Sequence, residues 1–144
     1  MGTYTGLRCK VIVKENYRQL IDYITNVGDW SDIIGIPFVE EFAKLNRSVF
    51  IPHGVLEYMP DSWEESTDFS NDFNNESGLW VFQCSLKNYD NEIEQFFKLV
   101  LENIVDRIIH LETFHEEDMY SKRWDFIEGK ICCVDHQFIN YKEE

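Results

Sequence analysis

Apolar and polar residues alternate from the start of the chain. Leu7, Cys9, Val11 and Val13 interleave with Arg8, Lys10 and Ile12 over 7–13, the period of a strand with one buried face. Tyr17, Leu20, Ile21 and Ile24 then recur at helical spacing and Gly28 closes the segment, so a short amphipathic helix follows. In 29–45, Pro37 suits a first helical turn while Phe38, Phe42 and Leu45 share a face, which predicts a second short helix. The stretches 48–51 and 55–58 are β-rich but interrupted by Pro52 and Gly54; they predict an edge or bulged strand at the sheet margin. The clearest alternation is in 79–86, where Trp80, Phe82, Cys84 and Leu86 oppose Val81, Gln83 and Ser85, and it predicts a central strand. Asp90 is then expected to cap a helix with the stripe Ile93, Phe96, Phe97, Val100, Leu101, Ile104 and Ile108, with Glu92 and Glu94 in its first turn. A strand over 109–115 and a hairpin of 119–127 and 130–137, turned at Glu128-Gly129, complete the reading.

This order is a βαββαβ core with additions. Each helix has one apolar stripe to bury, so the helices belong on one face of a mainly antiparallel sheet. The expected fold is α+β, a ferredoxin-like two-layer sandwich with an additional C-terminal hairpin, forming a single domain over 1–144 with the first strand between the third and the fourth. Leu7, Cys9 and Val11, Trp80, Phe82 and Cys84, and Ile109 and Leu111 are expected on the inner face. That leaves Arg8, Lys10, Gln83, Ser85, His110 and Glu112 together on the outer one.

Charge sharpens the picture. The 144 residues carry a formal charge of −14, yet 44% are apolar and 15% aromatic, too many bulky groups for disorder. No lysine or arginine lies between Arg47 and Lys87, whereas Glu57, Asp61, Glu64, Glu65, Asp68, Asp72 and Glu76 all do. Around them, 59–77 lacks sustained periodicity and reads as a long acidic loop, of the kind that tends to be functional or mobile. A field of this sign repels phosphate backbones and anionic membranes and attracts basic partners, so neither nucleic acid nor membrane is expected as a partner. The N-terminal stretch shows no apolar run of a secretory signal, and no run of about 18 apolar residues occurs. With Cys9, Cys84, Cys132 and Cys133 forming no CxxC pair, reduced thiols in a cytoplasmic protein are expected.

Chemistry-bearing motifs are sparse. There is no phosphate-cradling glycine loop and no Gly-x-Ser-x-Gly elbow around Ser85. The ligand-type side chains of His115, Glu116, Glu117 and Asp118 are neighbours in an extended stretch and point to opposite sides. No metal or other cofactor is expected. An alternative catalytic reading uses His110 beside Glu112, with Arg8 and Lys10, as a general acid/base group on an open sheet face; the same face could instead seat a second copy of the chain.

The aromatic strand Gly78-Leu79-Trp80-Val81-Phe82-Gln83-Cys84, the amphipathic helix after it, and Leu111-Glu112-Thr113-Phe114-His115-Glu116-Glu117-Asp118-Met119-Tyr120 leading into a hairpin closed by Glu128-Gly129-Lys130 resemble ferredoxin-like domain proteins encoded on phages and plasmids. Where that group commonly has a proline-rich turn this chain has Lys87-Asn88-Tyr89-Asp90. The resemblance implies a fold and a mobile-element origin, not an activity. The expected function is therefore that of a non-enzymatic acidic module, an inhibitor, immunity-type antidote or nucleic-acid mimic that binds a basic protein surface. Its contact set would be Glu57, Asp61, Glu64, Glu65, Asp68 and Asp72, with Trp63, Phe69 and Phe73 as apolar anchors. The alternative is a small, dimeric enzyme or ligand-binding domain using the open face.

Overall fold

In a computed structural model that describes residues 3–138, the chain forms β1 (Thr5–Val13), α1 (Arg18–Asn26), α2 (Pro37–Ala43), α3 (Phe50–His53), α4 (Asp61–Glu64), β2 (Asp72–Phe73), β3 (Leu79–Leu86), α5 (Glu92–Gln95), α6 (Glu102–Ile104), β4 (Val105–His115), β5 (Tyr120–Ile127) and β6 (Lys130–Phe138). A π-helical stretch, Phe96–Leu101, joins α5 to α6. The strands make one six-stranded sheet in the order β2-β3-β1-β4-β5-β6, and every neighbouring pair is antiparallel. The fold is therefore α+β, and β1 lies between β3 and β4.

The period-two pattern places the core. Leu7, Cys9, Val11 and Val13 of β1 are fully buried, and they cluster with Trp80, Phe82, Cys84 and Leu86 of β3 and with Leu111 of β4. Ile21 and Ile24 of α1, Val39 and Phe42 of α2, and Ile93, Phe96, Phe97, Val100, Leu101 and Ile104 cover them in the same cluster. Trp30 sits at its centre, edge-on to Phe42, Trp80 and Phe96, and its indole N–H donates to the carbonyl of Ile51. Aromatic rings that meet edge to face add to the burial energy. Among the described residues no helix is long and apolar enough to cross a membrane.

Several elements differ from expectation. The region 48–58 is not the second strand: Phe50–His53 is a turn kinked at Ile51, whose dihedrals are extended, with a cis Ile51–Pro52 bond, and the Val55 carbonyl accepts from the Ser85 backbone N–H at 3.3 Å. Asp72–Phe73, inside the expected loop, supplies the marginal strand by pairing with Val81 and Trp80. Asp90 does not cap the following helix. Asn91, in the left-handed region at φ 59°, is the N-cap, and Asn88 Oδ1 accepts the Ile93 N–H at 2.9 Å. The helix ends at Ile104, so Ile108 belongs to β4, which begins four residues earlier than its alternation suggests. Ile109 is not on the inner face but 45% exposed, because the register slips from Lys10 opposite His110 to Val11 opposite Ile108. A bulge of this kind turns one residue out of the alternation.

The hairpin turns where expected, with Glu128 at φ 54° and Gly129 at φ 82°, the two positive angles a type I′ turn requires.

Candidate functional site: the acidic segment on the outer sheet face

The acidic segment is not an excursion into solvent. Asp61–Glu64 forms a helical turn, and the Met59 N–H is held by Glu64 Oε2 at 3.0 Å. Trp63 is 2% exposed, Phe69 7% and Phe73 7%. Phe73 joins the main core, while Trp63 and Met59 form a second cluster with Phe114 on the opposite side of the sheet. The three aromatics are thus not anchors for a partner: they are spent on the chain's own sheet, and each buried side chain of this size is worth about 1.5–3 kcal/mol.

Arg8 is the centre of this docking. Its guanidinium carbon lies 4.5 Å from the ring centroid of Trp63 and 4.5 Å from that of Phe69. Arg8 Nε donates to Gln83 Oε1 at 2.9 Å and Nη2 to the Trp63 carbonyl at 3.2 Å, which also accepts from Gln83 Nε2 at 3.2 Å. Burial pulls the guanidinium's pKa below its ordinary value, and the nearby charges of Glu112 and Asp68 push it back up. Lys10 Nζ stands 4.9 Å from the Phe69 centroid, and Phe69 meets the His110 ring edge-on at 5.1 Å. Cations stacked on aromatic faces add directional attraction to the burial. At the far end Arg18 Nη1 donates to the Glu76 carbonyl at 2.8 Å, and Asn74 Oδ1 accepts the N–H groups of Glu76 and Ser77.

Arg8, Lys10, Gln83, Ser85, His110 and Glu112 do share the outer face, as the pairing of Arg8 with Gln83 and Glu112 and of Lys10 with His110 shows. That face is not open. The acidic segment packs over Arg8 and Lys10, which are half-buried.

His110 and Glu112 do form a dyad, with His110 Nε2 2.8 Å from Glu112 Oε1. Arg123 Nη2 lies 3.1 Å from His110 Nδ1; a guanidinium only donates, so Nδ1 accepts and Nε2 carries the proton given to Glu112. Ser121 Oγ donates to Glu112 Oε2 at 2.6 Å. Burial alone would raise the carboxyl pKa of Glu112, but hydrogen bonds from His110 and Ser121, with the charge of Arg123, hold it below the ordinary range. In a serine nucleophile system the hydroxyl contacts the histidine and the carboxylate lies behind it. Here hydroxyl and imidazole both bind the carboxylate, and the remaining ring nitrogen meets a cation. The arrangement lacks an activated nucleophile and acts as a staple: β4 and β5 pair only at Glu112 with Arg123 and at Thr113 with Lys122, and these side chains, with Trp124 Nε1 donating to Thr113 Oγ1 at 2.9 Å, supplement a short ladder. Ser121 and Arg123 escaped the sequence reading. Their alternation in 120–127 puts them on one face, but nothing in the sequence says which residues of β4 they oppose.

The carboxylates behave oppositely to the aromatics. Glu57, Asp61, Glu64, Glu65, Asp68, Asp72 and Glu76 are all exposed. Among the described residues the Lys and Arg ion pairs are Lys44 with Glu41 and Arg47 with Asp90 and Glu92, and His110 meets Glu112; none of these uses a carboxylate of this segment. His115 and Glu116 are engaged locally, His115 Nε2 with Thr3 Oγ1 at 3.1 Å and Glu116 Oε1 with the Tyr4 N–H. No group of three or more His, Cys, Asp or Glu side chains placed to hold a metal ion occurs among the described residues. Comparison of the chain with protein-family models, with curated proteins and with solved structures finds no match in any of the three.

Proposed function

We propose that the protein is a non-enzymatic interaction module that presents the carboxylates of 57–76 to a basic protein surface, in an inhibitory, immunity-type or nucleic-acid-mimicking role. One observation carries this reading: seven exposed carboxylates sit on a segment fixed by Trp63, Phe69 and Phe73, and none of them is ion-paired among the described residues. Like charges held together outside any ion pair raise the free energy of the folded chain, and a basic partner relieves that cost. Fixing the segment before binding also lowers the entropy lost on association. The carboxylates then serve encounter rate and partner discrimination.

The order β2-β3-β1-β4, with helices on one face, supports a ferredoxin-like core to which β5 and β6 are added. The phage and plasmid resemblance and a cytoplasmic, reducing location belong to the same proposal.

The test uses immobilised protein and host lysate, with a variant in which Asp61, Glu65, Asp68 and Asp72 become the corresponding amides. The reading expects a partner that the parent chain retains at low salt and releases at high salt, and that the amide variant does not retain. Retention indifferent to both salt and the four substitutions would overturn it.

A further inference from the structure

On the opposite side of the sheet from the acidic segment, where the inner face runs out beyond the start of the 92–104 helix, lies a cleft of about 310 Å³. Its lining includes Thr5, Thr113, Asn88, Glu94, Asp118 and Lys122. Thr5 and Thr113 continue the inner-face alternation of β1 and β4, Thr5 following Leu7 and Thr113 following Leu111. Hydroxyls therefore stand where aliphatic core positions would otherwise continue. Thr5 is only 9% exposed, and among the described residues its hydroxyl makes no hydrogen bond. Thr113, 6% exposed, accepts the indole N–H of Trp124, which leaves its own O–H to donate. The Thr5 hydroxyl and the O–H of Thr113 line the same cleft, a place where a polar molecule would complete the hydrogen bonding.

We propose that this cleft binds a small, neutral, hydroxyl-rich molecule of the monosaccharide class. Its charges select against the alternatives. Glu94 and Asp118 outnumber Lys122, and the chain carries −14 overall, which opposes an anion. Lys122 opposes a cation, and no metal-holding group occurs among the described residues. An apolar ligand would strip water from the threonine hydroxyls without replacing its bonds. A sugar hydroxyl both gives and takes a hydrogen bond, which matches hydroxyls, a carboxamide and carboxylates set side by side. Asn88 and Glu94 are already fixed for this, since Asn88 Nδ2 donates to Glu94 Oε1 at 2.9 Å. At the rim Tyr120 is half exposed and offers an aromatic face with a polar tip. The cleft is independent of the acidic segment, and its occupancy neither requires nor excludes a basic protein partner.

Amide-resolved NMR titration of the full chain tests the proposal with D-glucose, D-galactose, D-ribose and N-acetylglucosamine as probes, and with glycine and inorganic phosphate as charged comparators. At millimolar concentration one of the sugars is expected to shift the backbone amides of Thr5, Thr113 and Lys122 saturably. Thr5→Val, which removes the hydroxyl and keeps the shape, should weaken binding about three- to tenfold, the worth of one hydrogen bond, and Thr5→Ser should restore it. Absence of sugar-dependent shifts at these amides would overturn the proposal, as would preference for glycine or phosphate, or unchanged affinity in Thr5→Val.

Discussion

Trp63 lies directly on the backbone of Gly6: a Cβ placed on Gly6 would stand 2.9 Å from Trp63 Cζ3 and closer still to Met59 Sδ. Gly6 is on the outer face of β1, opposite Ser85 and Phe114, and its missing side chain makes room for the indole of the acidic segment. Sheet residues with branched side chains would pack better within the strand, but none would let the segment sit down.

Gly6→Val should therefore lift the segment without disturbing the inner core. The expected loss is about 1–3 kcal/mol, typical of overpacking, measured by urea unfolding, with a red shift in the emission of Trp63 isolated by replacing the other tryptophans. Gly35→Ala is a poor control because Gly35 has φ 98°, so Ser62→Ala, exposed on the same helical turn, serves instead and should change stability by less than about 0.5 kcal/mol.

Glu112 links acid stability to the attachment of the hairpin. Its native carboxyl pKa is depressed, so its contribution is fully present above the unfolded-state value, about 4.3, and is lost as pH falls through the native value. Glu112→Gln should cost about 1.5–3 kcal/mol at neutral pH, the range for hydrogen bonds to a charged group. The gap between variant and parent should narrow progressively as the pH is lowered below about 4. Denaturant melts across pH 2–8 check this; a gap independent of pH would remove Glu112 from the account.

Thiol reactivity should divide the cysteines evenly. Burial pushes the thiol of Cys84 up, and that of Cys9 up through burial and then through the proximity of Cys84, so neither supplies a thiolate at neutral pH. Cys132 and Cys133 on β6 are partly or fully exposed. A thiol-reactive dye should label these two in the native protein and Cys9 and Cys84 only on unfolding.

Neutralising the acidic segment should stabilise the isolated protein. Asp72→Asn and Glu65→Gln each remove a charge from a patch that makes no ion pair among the described residues, and each should raise stability by up to about 0.5 kcal/mol at low salt. The gain should fade at high ionic strength as screening shortens the reach of the repulsion. A stability cost that the native sequence retains is what selection for binding would leave behind.

The elements whose faces are set locally were legible in the sequence. Leu7 to Val13 and Trp80 to Leu86 alternate because both strands bury one face, and the stripe from Ile93 to Ile104 follows helical spacing for the same reason. Misreadings occur where a distant partner decides. Ile109 is turned outward by a bulge set by pairing with β1, and Phe50–His53 is a kinked turn although Phe50 and Ile51 favour strands. Trp63, Phe69 and Phe73 follow no period because they dock on two different faces, two of them over Gly6, Arg8 and Lys10 on a strand more than fifty residues away. Sequence could show that acid and aromatic residues mingle in 57–76, but the direction of each side chain depends on a surface that only the folded sheet provides.

The docked acidic segment is tested most directly by interproton contacts in solution. Nuclear Overhauser effects are expected from the Trp63 ring to the Gly6 α-protons, and from the Phe69 ring to the side chains of Arg8 and Lys10. Their presence, with the carboxylates of 57–76 still solvent-accessible, is the predicted result. A Trp63 ring without contacts to β1, in a chain whose inner core is intact, would contradict it.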